Sequence, residues 1–478
     1  MSALAADMLL AAPELFLLAA GCLTLMAATP PTPAYRELPR LLAVATTAIL
    51  LILLLALHPK ETHYAFHGGF VSDLTSTLLK FCMALAALCA FGYSGEYLKE
   101  HDLNQREHYV LGLFALLGGL VLASARSFLT LYLGLELLSL SLYAMIAIHR
   151  NSATGVEAAM KYFVLGALAS GMLLYGISML YGATGELQLD RVAAAIGASD
   201  SPSLIHFGLS FIVVGIAFKL GVAPFHMWVP DVYQGAPTPV TLFVASMPKL
   251  AAFALAARVL FDGLAGAVEQ WAGMLALLAL LSMAIGNVVA IAQSNIKRML
   301  GYSTVAHMGF LLLGLLAARP EGLAGAMFYA IAYTLMSLGA FGLITLMSRD
   351  GAEIEELSDL AGLAAQRPWQ ALIMMVLMFS MAGVPPFVGF WAKWFVIREA
   401  IDAGYVWLAV AAVVCAIIGA YYYLRIIRLM YFEPPAKLFR PELPPGPRVA
   451  IGANGLAILA LGLFPSALMA LCLQAMAP

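Results

Sequence analysis

The sequence predicts an all-α integral membrane protein of about fourteen transmembrane helices, with two inverted five-helix repeats and broken helices 7 and 12. Three observations carry that expectation. Hydrophobic residues make up 63% of the 478-residue chain and charged residues 11%, with a mean hydropathy of +0.91. Apolar runs of spanning length follow one another from end to end. Two motifs recur in order, each displaced by an odd number of helices. A soluble domain carries about 25% charged residues, and no polar stretch here is long enough to fold as one.

A bilayer core needs about 20 apolar residues per helix. Between charges and Pro/Gly punctuation, the runs place spans near 7–28, 38–58, 71–92, 108–124, 126–147, 155–181, 206–229, 239–262, 268–293, 301–318, 322–348, 368–401, 404–432 and 447–473. The first run lacks a basic flank and a clear cleavage site, so it reads as a retained helix rather than a signal peptide. Lys and Arg collect in the odd-numbered loops (Arg36, Arg40, Lys99, Arg106, Arg150, Lys297, Arg298, Arg349, Arg367, Arg425, Arg428, Lys437, Arg440, Arg448) and outnumber those of the even loops (Lys60, Arg126, Arg191, Arg258, Arg319, Arg398) more than twofold. Basic loops stay cytoplasmic. Both termini are therefore expected on the outer, periplasmic face.

The repeat rests on two matches. Ala159-Met160-Lys161-Tyr162 resembles Ala326-Met327-Phe328-Tyr329, and Gly221-Val222-Ala223-Pro224-Phe225 resembles Gly383-Val384-Pro385-Pro386-Phe387. Each links a span to the one five helices later, and an odd step reverses direction across the membrane. The expected organisation is 1–105 (helices 1–3), 106–265 (first unit, helices 4–8), 266–433 (second, inverted unit, helices 9–13) and 434–478 (helix 14). Paired Gly/Pro interruptions in inverted repeats point to an ion or substrate site. Proline in mid-helix removes a donor and clashes with the preceding turn, so Pro224, Pro385 and Pro386 should break spans 7 and 12, facing the interior.

Ionisable residues inside spans are costly, about 2.5–3.5 kcal/mol each on insertion scales. Glu136, Lys161, Lys219, Lys249 and Lys393 nevertheless sit within spans of the two units. Lys219 and Lys393 flank the two breaks, and Lys249 follows Pro248, an expected kink. Glu136 is the expected carboxylate partner of Lys219. Burial disfavours a charged lysine and a nearby carboxylate favours it, so this pair can hold or release a proton. Arginine cannot, because it stays protonated. Lys161, near the start of span 6, reads equally as an interfacial anchor. Lys80 reads as structural. His307 reads as a hydrogen-bonded core histidine or as a proton relay between the units. His226, Ser139, Tyr333 and Ser337 could line a hydrated path or simply join helices. The acidic stretch Glu353, Glu355, Glu356 and Asp359 reads as a solvated face or a contact with another subunit.

The sequence argues against redox or metal chemistry in this chain. Its five cysteines lie in apolar runs, none paired as C-x-x-C, and no Cys/His cluster has metal or haem spacing. No glycine-rich nucleotide loop appears.

The motifs Leu135-Glu136-Leu137-Leu138-Ser139, Met160-Lys161-Tyr162-Phe163, Phe218-Lys219-Leu220-Gly221-Val222-Ala223-Pro224-Phe225-His226-Met227-Trp228, Pro230-Asp231-Val232-Tyr233-Gln234-Gly235-Ala236-Pro237-Thr238-Pro239 and Asn295-Ile296-Lys297-Arg298-Met299-Leu300 resemble the antiporter-like subunits of respiratory complex I, the bacterial NADH–quinone oxidoreductase. The resemblance covers nearly the whole chain. It implies a proton-translocating, multi-pass subunit of the bacterial inner membrane, working beside other membrane subunits of the complex and binding no nucleic acid. NADH, FMN, iron–sulfur clusters and quinone would belong to partner subunits. It also implies that Glu136 modulates Lys219, that Lys249 lies on a central axis and that Lys393 lies near the exit. Pro248 departs from the small polar residue the family leads one to expect before the helix 8 lysine. A subunit of a multi-subunit cation/proton antiporter is the alternative, since fold and lysines are shared.

Overall fold

Glycine and proline decide where the apolar runs become helices. A computed structural model describes residues 3–29, 36–59, 61–103, 105–197, 201–348, 353–435 and 445–476. Lys60, Arg349, Lys437 and Arg440, which enter the loop-charge argument, lie outside them. The chain begins with α1 (Ala3–Leu10), α2 (Ala12–Ala28) and α3 (Leu38–Ala56). A short antiparallel hairpin follows, β1 (His63–Ala65) and β2 (Phe70–Ser72). Next come α4 (Leu74–Glu100), α5 (Gln105–Ser124), α6 (Phe128–Ile146), α7 (Ala153–Thr184), a short α8 (Leu189–Ile196), α9 (Pro202–Leu220), α10 (Trp228–Gly235), α11 (Thr238–Ala245) and α12 (Met247–Ala257). Then come α13 (Val268–Ile291), α14 (Ile296–Leu316), α15 (Pro320–Met347), the single turn α16 (Leu363–Gln366), α17 (Pro368–Ala382), α18 (Val388–Asp402), α19 (Val406–Phe432), α20 (Pro445–Leu463) and α21 (Pro465–Met476).

Among the described residues, 12 helices are long and apolar enough to cross a membrane, or 13 if a bent pair counts as one span. The run expected as span 12 is absent from that count because its break leaves two helices of 15 residues, α17 and α18. Two terminal expectations need correction. The run 7–28 is not one straight helix: α1 and α2 meet at 74°, with Pro13 opening α2. The run 447–473 divides at Phe464, and Pro465 opens α21. Proline fits the first turn of a helix, where its missing N–H is not needed, so each proline starts a new helix rather than continuing the old one.

The most enclosed elements are α11–α12, α14 and α15, whereas α3, α7, α19 and α20 expose most of their apolar windows. Small residues allow the close crossings. A Cβ at Gly176 would meet the Gly208 carbonyl at 2.6 Å, and one at Gly208 would meet the Gly176 carbonyl at 3.0 Å, so α7 and α9 touch backbone to backbone. Lipid supplies no hydrophobic drive between helices, and such contact area replaces it. Outside the expected repeats, Lys80 pairs with Glu14 at 2.6 Å with both side chains buried, joining α4 to α2.

Candidate functional site

Both expected breaks form, but glycine ends the helix before proline is reached. Gly221 has φ +81° and Gly383 φ +88°, a left-handed backbone that glycine adopts without a Cβ penalty. At the first break the Gly221 N–H donates to the Phe218 carbonyl at 3.0 Å and the Val222 N–H to the Ala217 carbonyl at 3.0 Å. At the second, Gly383 donates to Ser380 at 3.0 Å and Val384 to Phe379 at 3.0 Å. This is the Schellman closure of a helix C-terminus. The Ala223–Pro224 and Pro385–Pro386 bonds that follow are cis. The prolines do not face the interior as expected: Pro224, Pro385 and Pro386 are exposed. The inward-facing parts are the carbonyl ends of α9 and α17, because a helix presents its unpaired carbonyls along its own axis.

A lysine caps each of those ends. Lys249 Nζ donates to the Leu220 carbonyl at 2.8 Å and stands 5.0 Å from the centre of the Trp228 ring. The Trp228 indole N–H itself donates to the Phe218 carbonyl at 3.0 Å. Lys393 Nζ donates to the carbonyls of Met381 and Ala382, each at 3.0 Å, and stands 5.1 Å from the Phe310 ring centre. Lys249 is 1% and Lys393 9% exposed. The negative end of a helix dipole and a ring face both favour a cation. Lys219 and Lys393 flank the two breaks, but the capping contact of Lys393 is matched by Lys249 rather than by Lys219. The kink expected at Pro248 lies just upstream, at Ser246, whose hydroxyl donates to the Leu242 carbonyl at 2.7 Å. Pro248 sits in the first turn of α12 and leaves Lys249 free to reach Leu220.

Lys219 occupies the last turn of α9 and donates to Ser139 Oγ at 2.8 Å and Ser170 Oγ at 3.3 Å. Glu136 does not touch it: Glu136 Oε1 has no hydrogen-bond partner among the described residues. Ser139 lies one turn along α6 from Glu136 and takes the contact instead, because a serine hydroxyl can accept from lysine while donating to its own helix, here to the Leu135 carbonyl at 2.7 Å.

A hydroxyl network joins α14, α15 and α19. His307 Nδ1 pairs with Tyr329 Oη at 2.7 Å and Nε2 with Tyr423 Oη at 3.0 Å. Tyr423 continues to Ser303. Thr304 bonds Tyr333 at 2.7 Å, and Ser337 donates to Tyr333 at 3.3 Å. Tyr333, Ser337 and His307 are thus brought together. Phe310, one turn beyond His307, leads to Lys393. His226 packs against the Tyr302 ring, centroids 6.2 Å apart, and no hydrogen bond among the described residues joins it to this network.

Lys161 lies near the start of α7, as its place in span 6 implied. Its side chain is 43% exposed, paired with Glu157 and Asp231 at 2.7 Å each. Asp231 also holds Arg298 at 2.7 Å. Burial raises the Asp231 carboxyl, but its bonds to Lys161 and Arg298 and their charges outweigh burial and hold it below the usual carboxylate range. The acidic stretch is not simply a solvated face either, since Glu353 turns inward to Lys297 at 3.2 Å.

Residues 125–419 match the family described as NADH:quinone oxidoreductase/Mrp antiporter, transmembrane region. The chain belongs to this family. Among curated relatives, the NADH-quinone oxidoreductase subunit N of Thiobacillus denitrificans is 56% identical over 414 residues, 86% of this chain and 85% of the relative. A chain of respiratory complex I from Thermus thermophilus superposes with a TM-score of 0.83 at 36% identity, covering 96% of this chain and 98% of that one. A chain of the Mrp complex from Dietzia superposes at 0.86 with 23% identity, covering 98% and 96%, a likeness of fold.

Within this family member, sequence reasoning passed over Tyr329, Tyr423, Ser303 and Thr304. A signal was present. Ser303, Thr304 and His307 lie three and four apart, so they share one helical face, as do Tyr329 and Tyr333. Lys297 was assigned to a loop, yet it is 2% exposed.

Proposed function

We propose that this chain is a proton-translocating membrane subunit of an NADH–quinone oxidoreductase, coupling electron transfer in partner subunits to proton movement through buried lysines. The observation that carries the reading is the pair of lysine-capped half-helix ends, Lys249 on Leu220 and Lys393 on Ala382. An amine held by carbonyl oxygens keeps N–H donors after it loses its proton. It can therefore alternate between charged and neutral without leaving a buried carboxylate unpaired. That property suits a carrier, because moving one charge against about 180 mV requires about 4 kcal/mol.

The route begins with Glu136, Ser139 and Lys219, passes to Lys249, which holds the carbonyl of Leu220 next to Lys219, and crosses to His307 and its tyrosines before Lys393. Tyr333 and Ser337 extend the hydroxyl lining, Lys161 and His226 serve the approach from the membrane edge, and the breaks at Pro224, Pro385 and Pro386 provide the carbonyl ends. Units 106–265 and 266–433 would act as inverted halves, flanked by 1–105 and 434–478. Both termini would face the periplasm of an inner membrane. NADH, FMN, iron–sulfur clusters and quinone would be held by the partner subunits.

The test is Lys219→Ala and Lys393→Ala in the assembled enzyme reconstituted into vesicles, with quinone reduction and proton pumping measured together. Pumping should fall in both while the complex still assembles. Wild-type pumping in both would end the assignment.

A further inference from the structure

Glu353 lies between α15 and α17 and takes no part in the route described above. Its Oε1 receives donors from three helices: Tyr97 at the end of α4 at 2.8 Å, Thr238 at the start of α11 at 2.7 Å, and Lys297 near the start of α14 at 3.2 Å. Lys297 also donates to the Ala236 carbonyl at 3.2 Å, so the link between α10 and α11 is held from the same point. The segment that carries Glu353 is itself anchored. The Ile296 N–H donates to the Glu355 carbonyl at 2.7 Å and the Leu357 N–H to the Ser294 carbonyl at 2.8 Å, and Asn295 forms a bridge with Glu356.

Two of the three helices that meet on this oxygen lead to the two halves of the site. Thr238 opens α11, which ends at Ala245, four residues before Lys249. Lys297 lies in the first turn of α14, which carries His307 ten residues on. A helix rises about 1.5 Å per residue and behaves as a rod over that length, so a displacement at Lys297 reaches His307.

We propose that Glu353 is a positioning residue. By holding Thr238 and Lys297 on one carboxylate oxygen, it fixes the ends of α11 and α14 against each other and thereby sets where Lys249 and His307 stand. The inference rests on the proton-translocating reading of those two residues. Small misplacements of reacting groups carry large rate penalties, so the effect falls on coupling more than on assembly. Glutamine keeps the shape and the acceptor oxygen. A positioning role therefore tolerates Glu353→Gln, whereas a role as a proton carrier does not.

The experiment uses the whole complex in vesicles and reads protons moved per electron alongside quinone reduction. Glu353→Ala and Lys297→Glu should each reduce that ratio to less than half while quinone reduction persists. Glu353→Gln should keep most of it, and the swap Glu353→Lys with Lys297→Glu should recover most of what the Lys297→Glu change removes. Wild-type coupling in Glu353→Ala, a Glu353→Gln variant as impaired as Glu353→Ala, or a swap no better than Lys297→Glu would each overturn the proposal. If Glu353→Ala does not assemble, the swap decides: restored coupling supports the latch and its absence overturns it. Lys219→Ala and Lys393→Ala run in parallel separate the two readings, since wild-type pumping there defeats the functional assignment whatever Glu353 does.

Discussion

Lys249 places its Nζ 2.8 Å from the carbonyl oxygen of Leu220, 29 residues earlier in the chain. The contact closes the end of one half-helix with the side chain of another. Lys393 makes the same closure at Ala382 from within its own broken span. Two different stretches of backbone therefore deliver a lysine to the same chemical position, the carbonyl end of a helix stopped by glycine.

Lys249→Met and Lys393→Met keep the length of the side chain and remove the donor. The Leu220 carbonyl, or those of Met381 and Ala382, then loses its ammonium, and an unmade buried hydrogen bond costs about 1–3 kcal/mol. We expect both variants to lower the thermal stability of the solubilised complex and to bring pumping close to background. Unchanged pumping in either would show that its cap is structural only.

Gly221→Ala and Gly383→Ala force a side chain into the left-handed region, which costs about 1–2 kcal/mol. The new Cβ at 221 would also lie 2.7 Å from Val229 Cγ2 and 3.4 Å from Lys249 Nζ; at 383 it would lie 3.0 Å from Lys393 Cδ. Pumping should fall together with stability, because the same atom displaces the lysine. Asparagine tolerates this backbone better than alanine, so Gly383→Asn should melt at a higher temperature than Gly383→Ala. The reverse order would remove backbone conformation as the cause.

Asp73 gives a pH dependence. It caps α4 through the Ser76 N–H at 2.7 Å and pairs with Arg258 at 2.7 Å. Burial raises its carboxyl, but the Arg258 charge and the bonds from Ser76 and Arg258 outweigh burial and hold it below its ordinary value. A depressed carboxylate stabilises the fold above its unfolded value of about 3.9, and that contribution is lost as pH falls through the folded value. Wild type should lose stability on acidification more steeply than Asp73→Asn. At neutral pH, Asp73→Asn should be less stable, toward the low end of the roughly 3–5 kcal/mol for breaking a buried pair, because Arg258 keeps Asp262 at 3.3 Å. Melting curves across pH provide the measurement, and parallel slopes would contradict it.

Ser139→Ala and Ser170→Ala address Lys219 without touching its charge. Hydrogen bonds to a charged group contribute about 1.5–3 kcal/mol, enough to slow a proton step tenfold or more. Ser139, at 2.8 Å, should matter more than Ser170, at 3.3 Å. A pumping assay in vesicles ranks them. Equal, wild-type rates would mean that Lys219 functions without its hydroxyl partners.

The sequence by itself determined the membrane class, the approximate spans and the location of both breaks, because these depend on short-range features: the length of an apolar run, a glycine able to adopt positive φ, and a proline shortly after it. The cost of a charge in lipid likewise singled out Lys219, Lys249 and Lys393 without any structure. Tertiary structure alone decided how those groups are partnered. Nearly uniform apolar helices carry no polar stripe to say which face turns inward, so side-chain direction follows from packing. That is why Lys249, rather than Lys219, caps the first break, why Ser139 stands where Glu136 was expected to touch Lys219, why Lys161 faces outward to Asp231, and why Glu353, in a stretch that looks like a solvated loop, turns in to join three helices. The carbonyls that receive these lysines are backbone atoms, identical at every residue, and only the fold selects the few that remain unpaired.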